Sequence, residues 1–203
     1  MPNMRNFFRK LKSKLLTIIG CIKIFNWPMF IVYDPVLYRI KGSDMRKLCH
    51  SLKVGDIVMR AYHEYLDSKF IPGKYSHSGV YVGDGIVIHA VSEGVCKIDV
   101  LDFFQADSGI IVRLKDRESE SGKLKIEQAV KQAHANIGKQ YDFFFAEGDD
   151  AFYCHEHTAS CFRGCDIKKH MASALCGLLK TKEPVYLAQS FIESPDFEVV
   201  LEV

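Results

Sequence analysis

The sequence predicts an α+β domain: an antiparallel β-sheet packed against helices, with an N-terminal amphipathic helix. Two observations predict it. Short β-rich runs follow one another between residues 57 and 114, punctuated by Gly55, Gly73, Gly83-Asp84-Gly85 and Gly94. Helical periodicities occupy the flanks, and the order helix, β-meander, helix, helix, strand is that of an antiparallel α+β fold.

The first element is the amphipathic one. Met4, Phe7, Phe8, Leu11, Leu15, Ile18, Ile19 and Ile22 recur at i, i+3, i+4, i+7 and share one helical face, with lysines and arginines on the other. Asn26-Trp27-Pro28 ends this helix, and residues 28–43 read as a connector or a short strand. Ser43 or Asp44 caps a short helix through Leu52. The β-runs are Ile57 to Arg60, Gly79 to Val82, Ile86 to Ala90, Val95 to Val100 and Ile110 to Leu114, with Asp84-Gly85 marking a hairpin. The charged segment Lys115 to Lys125 leads into a helix with apolar positions Ile126, Ala129, Val130, Ala133 and Ile137, closed by Gly138. A loop over 139–152, a helix from about Phe152 to Gly164 and a strand Phe197 to Leu201 complete the chain.

The 203 residues suit one core plus an appended segment, divided as 1–42 (basic helix and connector) and 43–203 (the domain). A net charge of +2 argues against nucleic acid as a partner. Residues 1–33 hold Arg5, Arg9, Lys10, Lys12, Lys14 and Lys23 and no acid, so the cationic surplus belongs to that end. Such a helix fits either peripheral membrane contact through residues 4–25 or docking on its own domain. No run of 18 apolar residues is present to span a bilayer. Seven cysteines without regular spacing (21, 49, 96, 154, 161, 165 and 176) read as mostly reduced, which suits a cytoplasmic protein, membrane-associated or not. Ile18-Ile19-Gly20-Cys21 resembles a lipoprotein cleavage site, but the apolar stretch before it is shorter than a signal needs.

A thiol hydrolase requires a cysteine near a helix N-terminus, an imidazole base and a group that orients the base. Cys154 follows a loop and opens the helical run His155 to Arg163, whereas Cys161 and Cys165 lie further along. Taken alone, Cys154 reads as a buried core thiol. His77 leads a core strand between two small residues, and the hairpin at Asp84-Gly85 brings the strand end bearing His89 beside it, within reach of imidazole–imidazole contact.

These motifs carry a family resemblance. Val54-Gly55-Asp56-Ile57-Val58, Ser76-His77-Ser78-Gly79-Val80-Tyr81-Val82-Gly83-Asp84-Gly85, Val87-Ile88-His89-Ala90, Gly94-Val95 and Phe152-Tyr153-Cys154-His155-Glu156 together resemble the permuted papain-like, NlpC-like enzymes. That group includes the YiiX/YebB-like bacterial proteins and the lecithin–retinol acyltransferase-like proteins. The resemblance spans residues 54–200, through Ser194-Pro195-Asp196-Phe197. It implies a permuted papain-like fold, Cys154 as nucleophile, His77 as base and His89 as the orienting group, with no cofactor or metal. The third position varies in the group; His89 matches its acyltransferase-like branch, many YiiX-like members carry an acid there, and Glu93 is a nearby substitute. Gly55-Asp56 reads as a turn, not a catalytic acid.

The implied activity is a cysteine hydrolase or acyltransferase that cleaves an amide or ester (peptide, amino-acid conjugate or lipid) through a Cys154 acyl-enzyme. Two other readings compete with it. Cys154, His155, His157, Cys161, Cys165 and His170 offer zinc-ligand chemistry, although no Cys-x-x-Cys pair is present. A binding module of the same fold with silent chemistry is the other.

Overall fold

The computed structural model describes residues 4–26, 29–33, 38–63, 73–143, 148–174, 179–180 and 183–203. Its centre is a six-stranded antiparallel sheet in the order β10-β7-β3-β4-β5-β6, formed by β3 (Ile57–Ala61), β4 (His77–Gly83), β5 (Ile86–Val91), β6 (Gly94–Asp99), β7 (Ser108–Leu114) and β10 (Phe197–Glu202). The β4–β5 hairpin turns at Asp84 and Gly85, both at positive φ (51° and 73°), as the Asp-Gly signal requires.

Strand alternation sends successive side chains into two cores. On one face Met59, Val80, Ile88 and Val112 meet Ala129 and Ala133 of α4 (Glu120–Ala135), Ala159 and Cys161 of α5 (Cys154–Cys161), and Phe191 of α6 (Ala188–Ile192). On the other, Val58, Val87 and Ile111 meet Leu48 of α2 (Gly42–Ser51) and Phe103 of α3 (Val100–Phe103), with Phe104 just beyond it. Among the described residues, no helix is long and apolar enough to cross a membrane.

Several boundaries differ from the sequence expectation. The first helix, α1 (Met4–Gly20), stops six residues before Asn26, and Ile22–Asn26 forms β1, paired antiparallel with β2 (Met29–Tyr33). Gly20 weakens the helix end, and the β-branched side chains of Ile22 and Ile24 favour a strand. The Trp27-Pro28 break and Cys176 lie outside the described residues. Helix α2 begins at Gly42 with Lys41 as N-cap and no side-chain cap, so neither Ser43 nor Asp44 caps it. Helix α4 begins at Glu120, not Ile126: the Ser119 hydroxyl accepts from the Gly122 N–H at 2.9 Å, and that cap draws the charged residues into the first turns. The Asp99 carboxylate caps α3 in the same way, ending β6 one residue early. The stretch expected as a loop holds two short parallel strands, β8 (Gln140–Tyr141) and β9 (Ala151–Phe152).

Asp56, fully buried after Gly55 (φ 83°), anchors the sheet. Arg113 donates to it from Nε at 2.8 Å and from Nη2 at 2.7 Å, and the Lys53 N–H donates at 2.7 Å. Removing one partner of a buried pair leaves the other charge uncompensated, so Asp56→Ala is expected to cost about 3 kcal/mol in urea unfolding. An unchanged midpoint would rule out this anchor.

Candidate active site

Helix α5 opens at Cys154, with Tyr153 as N-cap in extended geometry and no side-chain cap. The Tyr153 hydroxyl instead accepts from the Tyr186 N–H at 2.7 Å, which fixes the chain before the thiol. Strand β4 holds the helix start from the side. The Ser78 hydroxyl lies 3.3 Å from the Cys154 carbonyl, 2.9 Å from the Thr158 hydroxyl and 2.9 Å from His155 Nδ1. With one hydrogen to give, Ser78 must accept from at least one of these partners. The Cys154 thiol donates to the Ser76 carbonyl at 3.7 Å.

His77 is the residue between those two serines, and its side chain leaves the strand on the other side. Gly79 pairs with His89 across the β4–β5 register, so His77, two residues before Gly79, is the diagonal neighbour of His89. The rings meet, with His77 Nε2 2.8 Å from His89 Nδ1 and both packed against Phe103. A Cβ on Gly79 would stand 2.6 Å from Val87 Cγ1, 2.9 Å from the Ile88 carbonyl and 3.1 Å from His89 Cβ. The structure thus joins His77 to His89 directly. It brings Cys154 against the residue preceding His77, with no hydrogen bond between thiol and imidazole. Glu93 is engaged elsewhere, accepting from Ser13 and Ser92.

Burial sets the protonation states. It lowers His77 well below the usual imidazole range, reinforced by the Arg60 charge and neighbouring imidazoles. Burial and then Arg60 bring His89 to about 3. Burial also pushes the Cys154 thiol up to about 11, although backbone N–H groups of Ser78, His155 and Cys154 itself pull it down. The resting pair is therefore neutral thiol and neutral imidazole, not the ionised thiolate expected from a helix N-terminus alone. Cys161 and Cys165 are raised similarly, to about 12 and about 11. Position, not acidity, distinguishes Cys154.

Three neighbours of Cys154 and His77 were not singled out from sequence. Ser78 lies within the histidine motif but gave no sign of its partners. Arg60, opposite His77 in the β3–β4 register, donates to the Phe103 carbonyl at 2.7 Å. A cation directly after the apolar run Ile57-Val58-Met59 was its available signal. Tyr141, paired with Phe152 through β8 and β9, lies beside Cys154, and burial raises its phenol well above 10. A cavity of about 460 Å³ opens onto Ser76, His77, Arg60, Tyr62 and Tyr141, and one wall is α1. Cys154, 2% exposed, lies directly behind the Ser76 part of that lining.

The side chains of the zinc reading do not converge on one point. His155 Nδ1 is taken by Ser78, and among the described residues no three His, Cys, Asp or Glu side chains group to hold a metal. Consecutive helical positions diverge around the axis, which scatters these ligands.

A cysteine opening a helix, packed on an antiparallel sheet whose earlier strands carry the histidines, defines the permuted papain-like class. The chain belongs to the family described as permuted papain-like amidase enzymes, YaeF/YiiX, C92, whose model matches residues 51–201. A solved structure titled metalloprotein yiiX from Escherichia coli O157:H7 shares the fold, with 18% identity and a TM-score of 0.59 over 75% of this chain and 98% of that one. No curated protein matches the chain.

Two outcomes are expected. Iodoacetamide alkylation of Cys154, followed by peptide mass spectrometry, should accelerate through pH 9 without a plateau near 7; a plateau there would show an ionised resting thiol. Stability should fall as pH drops from about 6.5 towards 4. His89, His155 (about 4) and His157 (about 3) cannot take up the protons that their unfolded forms bind in that window. Glu156, raised to about 7 by burial and the Asp142 charge, acts oppositely between about 4.5 and 7, but one group does not outweigh three. Urea midpoints at pH 7.5 and 5 measure this, and equal midpoints would contradict it.

Proposed function

We propose that the chain cleaves an amide through a Cys154 acyl-enzyme, with His77 as base and His89 as its positioning partner. The observation that carries this reading is the junction at β4, where the Cys154 sulfur touches the carbonyl of Ser76 and the next residue, His77, meets His89 at 2.8 Å on the wall of the cavity.

In this reading Nδ1 of His77 accepts the thiol proton, so Nε2 holds the other hydrogen and donates to Nδ1 of His89. The sulfur attacks the carbonyl, and backbone N–H groups at the start of α5 face the developing oxyanion. Collapse of the tetrahedral species expels the amine with the proton carried by His77, leaving a thioester. His77 then deprotonates water, which attacks the thioester and releases the carboxylate. The 2.8 Å contact with His89 supports the tautomer. Neutral resting states imply that the proton moves as the sulfur attacks, not beforehand.

The related structure's title names a metalloprotein, but the described residues here do not fit a metal, and the mechanism uses none. Ester cleavage or transfer to an acceptor other than water would follow the same first half. One observation favours a silent binding module instead: thiol and imidazole each bond another partner.

Intact-protein mass spectrometry with a panel of N-acyl amino-acid amides separates the two. A covalent acyl adduct is expected on the parent and none on Cys154→Ala. His77→Ala should lower kcat/KM about 10²- to 10⁴-fold, and His89→Ala should lower it less. Turnover of all three variants at the parental rate would end this reading.

A further inference from the structure

Helix α1 meets the domain by a side that takes in only the Ile19 edge of its apolar seam. Lys12, Leu16, Ile19 and Gly20 line the cavity, Lys12 Nζ lies 4.7 Å from the Phe143 ring, and Ser13 donates to Glu93 at 3.2 Å. Successive residues turn by about 100°, so Leu11, Leu15 and Ile18 fall within about 60° of one another and point away from the domain. Their exposures are 55%, 56% and 57%. Five of the eleven exposed large hydrophobics among the described residues lie between 11 and 31, including Ile31 of the following hairpin at 69%.

An apolar ridge left in water needs a cover. The charge around it selects one. Lys10 and Lys14 are exposed along one flank of the ridge, and residues 1–33 carry six cations without an acid. A second copy would set one cationic segment against another. An anionic lipid surface supplies both an apolar layer for the leucines and negative headgroups for the lysines. We infer that α1 is an interfacial helix that docks this protein on anionic membranes through Leu11, Leu15 and Ile18, with Lys10 and Lys14 at headgroup level. Its adjoining side is a wall of the His77 cavity, which places that cavity next to the lipid surface. The inference does not depend on the chemistry of Cys154.

The test is co-sedimentation of the full chain with vesicles of phosphatidylcholine alone or with phosphatidylglycerol. Binding is expected to the anionic vesicles, to weaken at high salt, and to fall at least about tenfold in the L11D/L15D/I18D variant. K10E/K14E should remove the preference for anionic lipid, while L101D, an exposed leucine elsewhere, should bind as the parent does. Unchanged urea midpoints confirm that the variants fold. Absence of vesicle binding by the parent overturns the inference, as does binding that survives the triple substitution. A parent dimer abolished by that substitution, without lipid binding, would assign the ridge to a second copy and also overturn it.

Discussion

The whole arrangement hangs on the contact between Ser78 and the first turn of α5. A strand is joined there to a helix that begins 76 residues later, through one hydroxyl shared among the Cys154 carbonyl, Thr158 and His155. Every group involved is buried, so the network excludes water and tolerates little displacement. Because β4 alternates, the residue that clasps the helix is flanked by His77, which turns to the other side and meets His89. Fixing Ser78 fixes the distance from thiol to imidazole pair without either touching the other in the resting state.

Protonation is where a generic expectation and this site part company. A helix N-terminus and neighbouring N–H groups favour a thiolate, and both are present at Cys154. Burial opposes them and wins, as it does for the imidazoles. A helix of eight residues offers a modest field, while a sulfur sealed behind Ser76 loses nearly all hydration. Neutral partners also avoid placing two buried charges beside Arg60.

Much of this was legible in the sequence where the signal was local. Asp84-Gly85 set the hairpin, and the hairpin set the meeting of His77 with His89. The glycine-punctuated runs gave the sheet, and the motif resemblance gave the family. Features that depend on distant partners were not legible. Ser78 has no signature until α5 packs on it, Tyr141 reaches Cys154 only through a two-residue parallel pairing, and the dense Cys/His sequence cluster scatters once wound on a helix. Helix α1 shows the limit of periodicity: its apolar seam was readable, but which side would meet the domain was not.

Gly79 has a consequence for how this protein tolerates change. Of the three atoms that would crowd a side chain there, one is a backbone carbonyl and one is the Cβ of His89 itself, so rotamer adjustment gives no relief. Even alanine would pry β4 from β5 and pull one imidazole off the other. The alignment of the two rings is thus inherited from an empty volume two residues away, and a residue with no functional group becomes as restrictive to replace as the histidines it spaces.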